Sequence, residues 1–211
     1  MNSLSADQFL TALYSATLST SSKIPFNSSV AVKILVMNKR ILSNQKITLR
    51  PVEPDDADFM WCVESDSLQW IQNSLVAPFS RENLLQYAMH YEADPYSAGQ
   101  IRLIITDSYG KRMGIADIFE LSPQHRTAKV GIYVLPAFRN TGVAMNALTL
   151  LEDYAIHLLN LRQLCAEIID GNDVSMYLFL KAGYEWSGTL RNWILSGKES
   201  FSLHLLQKEL I

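Results

Sequence analysis

The sequence predicts a mixed α/β fold of the α+β kind, a mostly antiparallel sheet flanked by about four helices. Three observations lead there. Between Ile101 and Leu135, apolar runs follow one another with only short turn-forming segments between them, as antiparallel strands do. Further on, Ala147, Leu148, Leu151, Tyr154, Ala155 and Leu158 recur at three- and four-residue steps and make one apolar helical face. Taken along the chain, the segments run β-α-α-β-β-β-α-β-α-β-β.

Each element has its own signal. Ile47-Thr48-Leu49-Arg50 alternates like a half-buried strand, and Asp55 or Asp56 is placed to cap a helix carrying Phe59, Met60 and Val63. Residues 66–79 read as irregular. Ser80 caps a second helix with Leu84, Leu85, Ala88 and Tyr91 on one side, ended by Asp94-Pro95. Strands follow at Ile101–Thr106, Met113–Leu121 and Ala128–Leu135, with Asp107-Ser108-Tyr109-Gly110 as a turn. A turn containing Gly142 opens the long helix, Leu164–Ile168 reads as a buried strand, and a helix from Asp173 to Ala182 ends at Gly183. Trp193–Leu195 and Phe201–Leu205 complete the sheet around Ser196-Gly197.

Composition narrows the class. The 211 residues are 48% hydrophobic and 18% charged, enough apolar matter for a sizeable core. A net charge of −3 gives no electrostatic footprint for nucleic acid. No apolar run reaches the roughly 18 residues of a membrane span. Cys62 and Cys165 lie far apart without metal-ligand spacing and read as buried free thiols, and the four histidines form no cluster. A cytoplasmic protein without metal is expected. Residues 37–211 read as one domain. Residues 1–36, with only Asp7, Lys23 and Lys33 as charges, hold a short amphipathic stretch at Asp7–Tyr14 and a Ser/Thr-rich linker. They are either a native appendage or upstream sequence read in frame ahead of a start at Met37.

The chain lacks G-x-G-x-x-G, G-x-x-x-x-G-K-[ST] and G-x-S-x-G, which removes the usual dinucleotide, P-loop and nucleophile-elbow sites. What stands out is Arg139-Asn140-Thr141-Gly142-Val143-Ala144 between a strand and the long helix. A helix's first turn leaves backbone N–H groups without intrahelical partners and adds partial positive charge. Gly142 permits close approach and Arg139 offers donors suited to phosphate oxygens, so the segment can cradle a pyrophosphate. An ordinary strand-to-helix turn is the competing reading. Downstream, Asn172 suits a helix N-cap and Gly183 a C-cap.

Together, in this order, the segments resemble the GNAT N-acetyltransferase family. Arg139-x-x-Gly142-x-Ala144 is similar to its R/Q-x-x-G-x-G/A signature, and Asn172-x-x-Ser175 with Lys181-x-Gly183-Tyr184 to its N-x-x-[AS] helix and K-x-G-[FY] strand. Ile47–Pro51, Glu53–Asp56 and Trp186–Arg191 resemble its opening and closing runs, so the likeness spans about residues 46–208. Overall it sits between the spermidine-type and the ribosomal-protein N-terminal acetyltransferases.

The resemblance implies acetyl-coenzyme A as cosubstrate, with its pyrophosphate on Arg139, Asn140, Thr141, Gly142, Val143 and Ala144. It implies a pantetheine arm along the splayed strand Ile132-Tyr133-Val134, near Asn172 and Phe179. Many members carry a tyrosine where Phe179 stands, donating a proton to the departing thiolate. The N-terminal acetyltransferases carry a serine where Ser175 stands, which makes Ser175 the candidate donor. The amine must lose a proton before it attacks the thioester, and a carboxylate is the usual acceptor. Many relatives have an acid where this chain has Lys129, leaving Glu120 and Asp117, which alternation assigns to opposite faces. Glu120 is the candidate base. Trp61, Trp70, Phe79 and Tyr87 with Glu64 and Asp66 suit an aromatic, acidic amine pocket, or else core and surface packing.

The expectation is direct acetyl transfer to a primary amine, of a polyamine-like molecule or a protein N-terminus, without a covalent enzyme intermediate. Its alternative is a catalytically weak coenzyme A-binding regulatory module. Acetyl-coenzyme A and an amine are the expected partners, nucleic acid and membrane are not, and self-association is left open.

Overall fold

The computed structural model describes residues 42–65 and 78–211. The readings made for residues 1–36 and for 66–77, Asp66 and Trp70 among them, lie outside these. In chain order the elements are β1 (Thr48–Pro51), α1 (Ala57–Glu64), α2 (Arg81–Met89), α3 (Pro95–Ala98), β2 (Ile101–Thr106), β3 (Arg112–Ser122), β4 (Thr127–Val134), α4 (Val143–His157), β5 (Gln163–Ile169), α5 (Asp173–Lys181), β6 (Glu185–Ser196) and β7 (Glu199–Glu209). Short 3-10 turns at Pro54–Asp56 and Pro136–Phe138 lead towards α1 and α4.

The strands form one seven-stranded sheet in the order β1-β2-β3-β4-β5-β7-β6. Every neighbouring pair is antiparallel except β4 with β5, which the α4 crossover makes parallel. Both faces are covered. Ala128 and Val130 of β4 with Leu164, Ala166 and Ile168 of β5 join Ala147, Leu148 and Leu151 of α4 and Phe179 of α5 in the larger core. On the other face Ile104 and Ile115 pack with Met60 and Val63 of α1 and Leu84 and Ala88 of α2, and with Tyr133 at the margin. Gly114 is required by strand spacing, since a Cβ there would collide with the Tyr133 carbonyl oxygen.

Several local readings are corrected. There are five α-helices among the described residues, because Asp94 does not end α2 but caps a separate four-residue helix, accepting from Tyr96 N–H at 3.1 Å. Asp56 does not cap α1 with its side chain. It is fully buried and forms a bidentate pair with Arg50 at 2.7 Å, while Arg112 Nε donates to it at 2.6 Å. These donors and the Glu53 N–H hold its carboxyl below the usual range even though burial pushes the other way. Strands β6 and β7 run well beyond Trp193–Leu195 and Phe201–Leu205. Two register shifts in β6, and its polar, mostly exposed surface, hide the strand from an apolar alternation test. The Ser80 cap is present, with its hydroxyl accepting from Asn83 N–H at 3.0 Å.

Candidate functional site

β4 and β5 pair only at Thr127–Gln163, Ala128–Leu164 and Lys129–Cys165, and then separate. Past Lys129, β4 keeps β3 on one side and has no paired strand on the other. The gap widens into a cavity of about 640 Å³. Alternation sends Val130 and Ile132 to the α4/α5 face and Gly131 and Tyr133 to the α1/α2 face, and all four line it, so the cavity passes through the sheet.

On the α4/α5 side, Asn172 caps α5 with its Oδ1 accepting from Ser175 N–H at 3.2 Å. That turn directs Asn172 and Ser175 to the cavity, followed one helical turn later by Phe179. Phe179 is buried and meets Tyr184 edge-on, with ring centroids 5.0 Å apart.

Beyond the end of β4, Arg139 to Ala144 form a tight braced turn. Asn140 and Gly142 take φ of 62° and 85°, left-handed backbone that glycine adopts without strain. Thr141 Oγ1 donates to the Phe138 carbonyl at 2.6 Å, and Asn146 Nδ2 to the Gly142 carbonyl at 2.8 Å. No side chain caps the start of α4, so the Val143 and Ala144 amides keep their donors at the positive end of a fifteen-residue helix. A Cβ at Gly142 would meet Asn146 Nδ2 at 3.7 Å and nothing nearer, which leaves the approach open. These features fit an anionic diphosphate. Arg139 is partly committed: its Nε donates to the Val134 carbonyl at 3.0 Å and its guanidinium lies 5.7 Å from the Tyr133 ring centroid. It anchors the turn to β4 as well as charging it.

The α1/α2 side is rich in carboxylates. Arg102 is the hub of one group, bonding Glu64 through Nη1 at 2.8 Å and Asp117 through Nε and Nη2 at 3.0 and 2.8 Å. Burial disfavours the guanidinium charge, but Asp117 and Glu64 outweigh it and raise its pKa. Lys129 is the second hub, holding Glu120 at 2.8 Å and Glu167 at 2.7 Å. Burial opposes its charge too, and the two carboxylates overcome it. Glu64, Asp117, Glu120 and Glu167 all line the cavity; among the described lining residues Arg102 is the one cation, and Lys129 pairs with two of the carboxylates from outside that lining. Alternation put Glu120 on the face opposite Asp117. The structure overturns that, because a bulge with Glu120 at φ 48° brings its carboxylate to Lys129.

Phe79 and Tyr87 line the same side, whereas Trp61 lies under Arg81, 4.3 Å from ring centroid to guanidinium carbon. The Arg102 hub escaped the sequence reading, although a lone arginine in the apolar strand Ile101–Thr106 was its trace. Tyr91, read as part of the apolar face of α2, lies beyond the end of that helix at Met89. Its hydroxyl donates to the Arg102 carbonyl at 2.7 Å and accepts from the Arg102 N–H at 3.1 Å, completing the edge of β2 where β1 has ended. Burial pushes that phenol up to about 12. Among the described residues no group of three or more acidic, histidine or cysteine side chains could hold a metal ion, and no helix is long and apolar enough to cross a membrane.

Comparison with known proteins agrees with this architecture. A family profile described as an acetyltransferase (GNAT) domain matches residues 46–185. The spermidine N(1)-acetyltransferase of Escherichia coli K12 is 22% identical over 151 residues, 70% of this chain and 77% of the relative. A crystal structure of the Vibrio cholerae spermidine N-acetyltransferase in complex with CoA and spermine superposes with a TM-score of 0.69 at 20% identity, covering 79% of this chain and 97% of that one. A dodecameric structure of spermidine N-acetyltransferase from the same organism gives 0.65 at 19% identity, with 79% and 95% covered.

Proposed function

The chain belongs to the GNAT acetyltransferases, acyltransferase enzymes that use acetyl-coenzyme A, and we propose that it passes the acetyl group directly to a primary amine. The acceptor is a polyamine-like small molecule or a protein N-terminal amine, and no covalent enzyme intermediate forms. One observation carries this reading: the gap between β4 and β5 opens to α5 on one side and to a carboxylate-rich chamber on the other, and β4 leads on in the chain to an uncapped helix N-terminus. Two substrates can meet there from opposite faces of the sheet.

In this reading acetyl-coenzyme A supplies the activated acyl group. The amides from Arg139 to Ala144 receive its pyrophosphate, with Gly142 admitting close approach. Ile132, Tyr133 and Val134 offer backbone donors and acceptors to the pantetheine arm, Asn172 orients its far end and Phe179 gives it an apolar wall. Backbone amides on the unpaired side of β4 are suited to the developing oxyanion. Ser175, whose hydroxyl makes no hydrogen bond among the described residues, donates a proton to the departing thiolate. Glu120, held by Lys129, takes the proton from the amine directly or through water, and the surrounding carboxylates favour a cationic acceptor before that step.

Direct transfer is supported by what lines the cavity. Among the described lining residues there is no cysteine and no histidine, so no thiolate or imidazole is in place to carry the acyl group. Cys165 lies outside it, its thiol pushed up by burial. The test is release of free thiol from acetyl-coenzyme A against spermidine, lysine-like amines, aminoglycosides and peptides with free N-termini. Release with one amine class is expected; tight coenzyme A binding without release across the panel would favour the regulatory module instead. Self-association, as in the dodecameric relative, is part of the proposal, and a monomer by sedimentation would remove it.

A further inference from the structure

Structurally the sheet is two half-sheets, β1–β4 and β5-β7-β6, that share three parallel residue pairs. So short a ladder fixes where the halves meet and leaves their angle to contacts on the two faces. An ionic bridge crosses the junction on each face. On the α1/α2 face Lys129, the last paired residue of β4, ties Glu120 of β3 to Glu167 of β5 at 2.8 and 2.7 Å. On the α4/α5 face Lys208 of β7 donates to Glu152 of α4 at 2.7 Å and to the Ala182 carbonyl, at the end of α5, at 2.8 Å. The α4 helix packs on β3 and β4, so this bridge also spans the halves.

The Lys208 bridge is well shielded. The Glu152 side chain is 13% exposed and that of Lys208 25%. Burial raises the Glu152 carboxyl, with Lys208 pulling the other way, and Tyr184 is buried beside it. The Lys208 ammonium is 5.7 Å from the Tyr184 ring centroid, and Tyr184 abuts Phe179 in the cavity wall. A contact at Lys208 is thus linked by packed atoms to the gap.

We propose that Lys208–Glu152 and Lys129–Glu167 are paired positioning bridges that fix the angle between β4 and β5, and hence the width of the gap. The inference rests on the reading of that gap as the acetyl-coenzyme A site. Two bridges on opposite faces resist rotation in both senses, whereas one alone leaves the junction free to open away from it. Neither pair is assigned contact with the reacting atoms.

The experiment titrates coenzyme A by calorimetry into the wild-type chain, Glu152→Gln, Glu167→Gln and the double variant. Near-ultraviolet circular dichroism accompanies each titration to establish packing. Each single change turns a charge-assisted bond into a neutral one and weakens binding roughly fivefold. The double variant loses more than the product of the single losses, because both bridges hold one angle. Lys208→Arg, which keeps the charge and both bonds, binds within roughly twofold of wild type. A packed double variant with wild-type affinity, or losses that merely multiply, overturns the shared angle, as does a Lys208→Arg variant as weak as Glu152→Gln. Failure of the wild-type chain to bind coenzyme A would instead overturn the reading of the gap itself.

Discussion

Replacing Arg102 by methionine tests whether the carboxylates at the gap are electrostatically balanced from within. The guanidinium bonds Glu64 and Asp117, both at 2.8 Å, and these side chains are 6% and 22% exposed. At an effective dielectric of about 20, two unit charges about 4 Å apart attract by about 4 kcal/mol. Methionine fills similar volume but leaves the two acids without that charge, and removing one partner of a buried pair destabilises by about 3–5 kcal/mol. Urea unfolding of wild type and variant at neutral pH would show a deficit of about 3–5 kcal/mol. A deficit below about 1 kcal/mol would refute the argument, because exposed pairs behave that way.

The remaining expectations concern other parts of the chain. Asp56→Asn should destabilise at neutral pH and the deficit should fade on acidification: Arg50 and Arg112 lower the folded pKa, so the wild-type advantage exists above the unfolded value of about 3.9 and is lost as pH falls through the folded one. Unfolding curves at neutral and acid pH check it, and an equal deficit at both would count against it. Gly142→Glu should abolish coenzyme A binding in a chain that still unfolds cooperatively, since it sets bulk and negative charge at the cradle and strains a residue at φ 85°; unchanged affinity by calorimetry would sink the cradle. Ser175→Ala should lower kcat by roughly 10²-fold or more with little change in coenzyme A affinity, and unaltered turnover would remove Ser175 from the mechanism.

The sequence revealed elements better than their connections. The three strands from Ile101 to Leu135, the helix after Gly142 and the Asn172 cap were legible because apolar spacing and turn chemistry are local. The lengths of β6 and β7 were not, since bulges at Trp186–Gly188 and Leu190–Ile194 interrupt the alternation that would signal them. Glu120 shows the same limit in a sharper form: one bulged residue moved its carboxylate across the sheet, and no counting of alternate positions could anticipate that. The Arg102 and Lys129 hubs join residues far apart in the chain, so single charges inside apolar strands were their sole trace. For the turn from Arg139 to Ala144, the order of short motifs carried more than any motif alone.

The parallel pairing of β4 with β5 explains why these pieces meet. Two adjacent parallel strands require a crossover, and a crossover helix begins just beyond the end of the strand it leaves. The α4 N-terminus therefore lies near the end of β4, where the strand has already lost its β5 partner. The same chain geometry thus leads from an edge of β4 that has no β5 partner into a positive helix end. The β2–β3 and β3–β4 hairpins cannot supply this arrangement, because their short turns bring no helix to the strand end. Substitutions that extend the β4–β5 ladder past Lys129 would satisfy more backbone bonds, yet they would fill the gap on which the proposed transfer depends. Greater local stability there is expected to oppose the proposed activity.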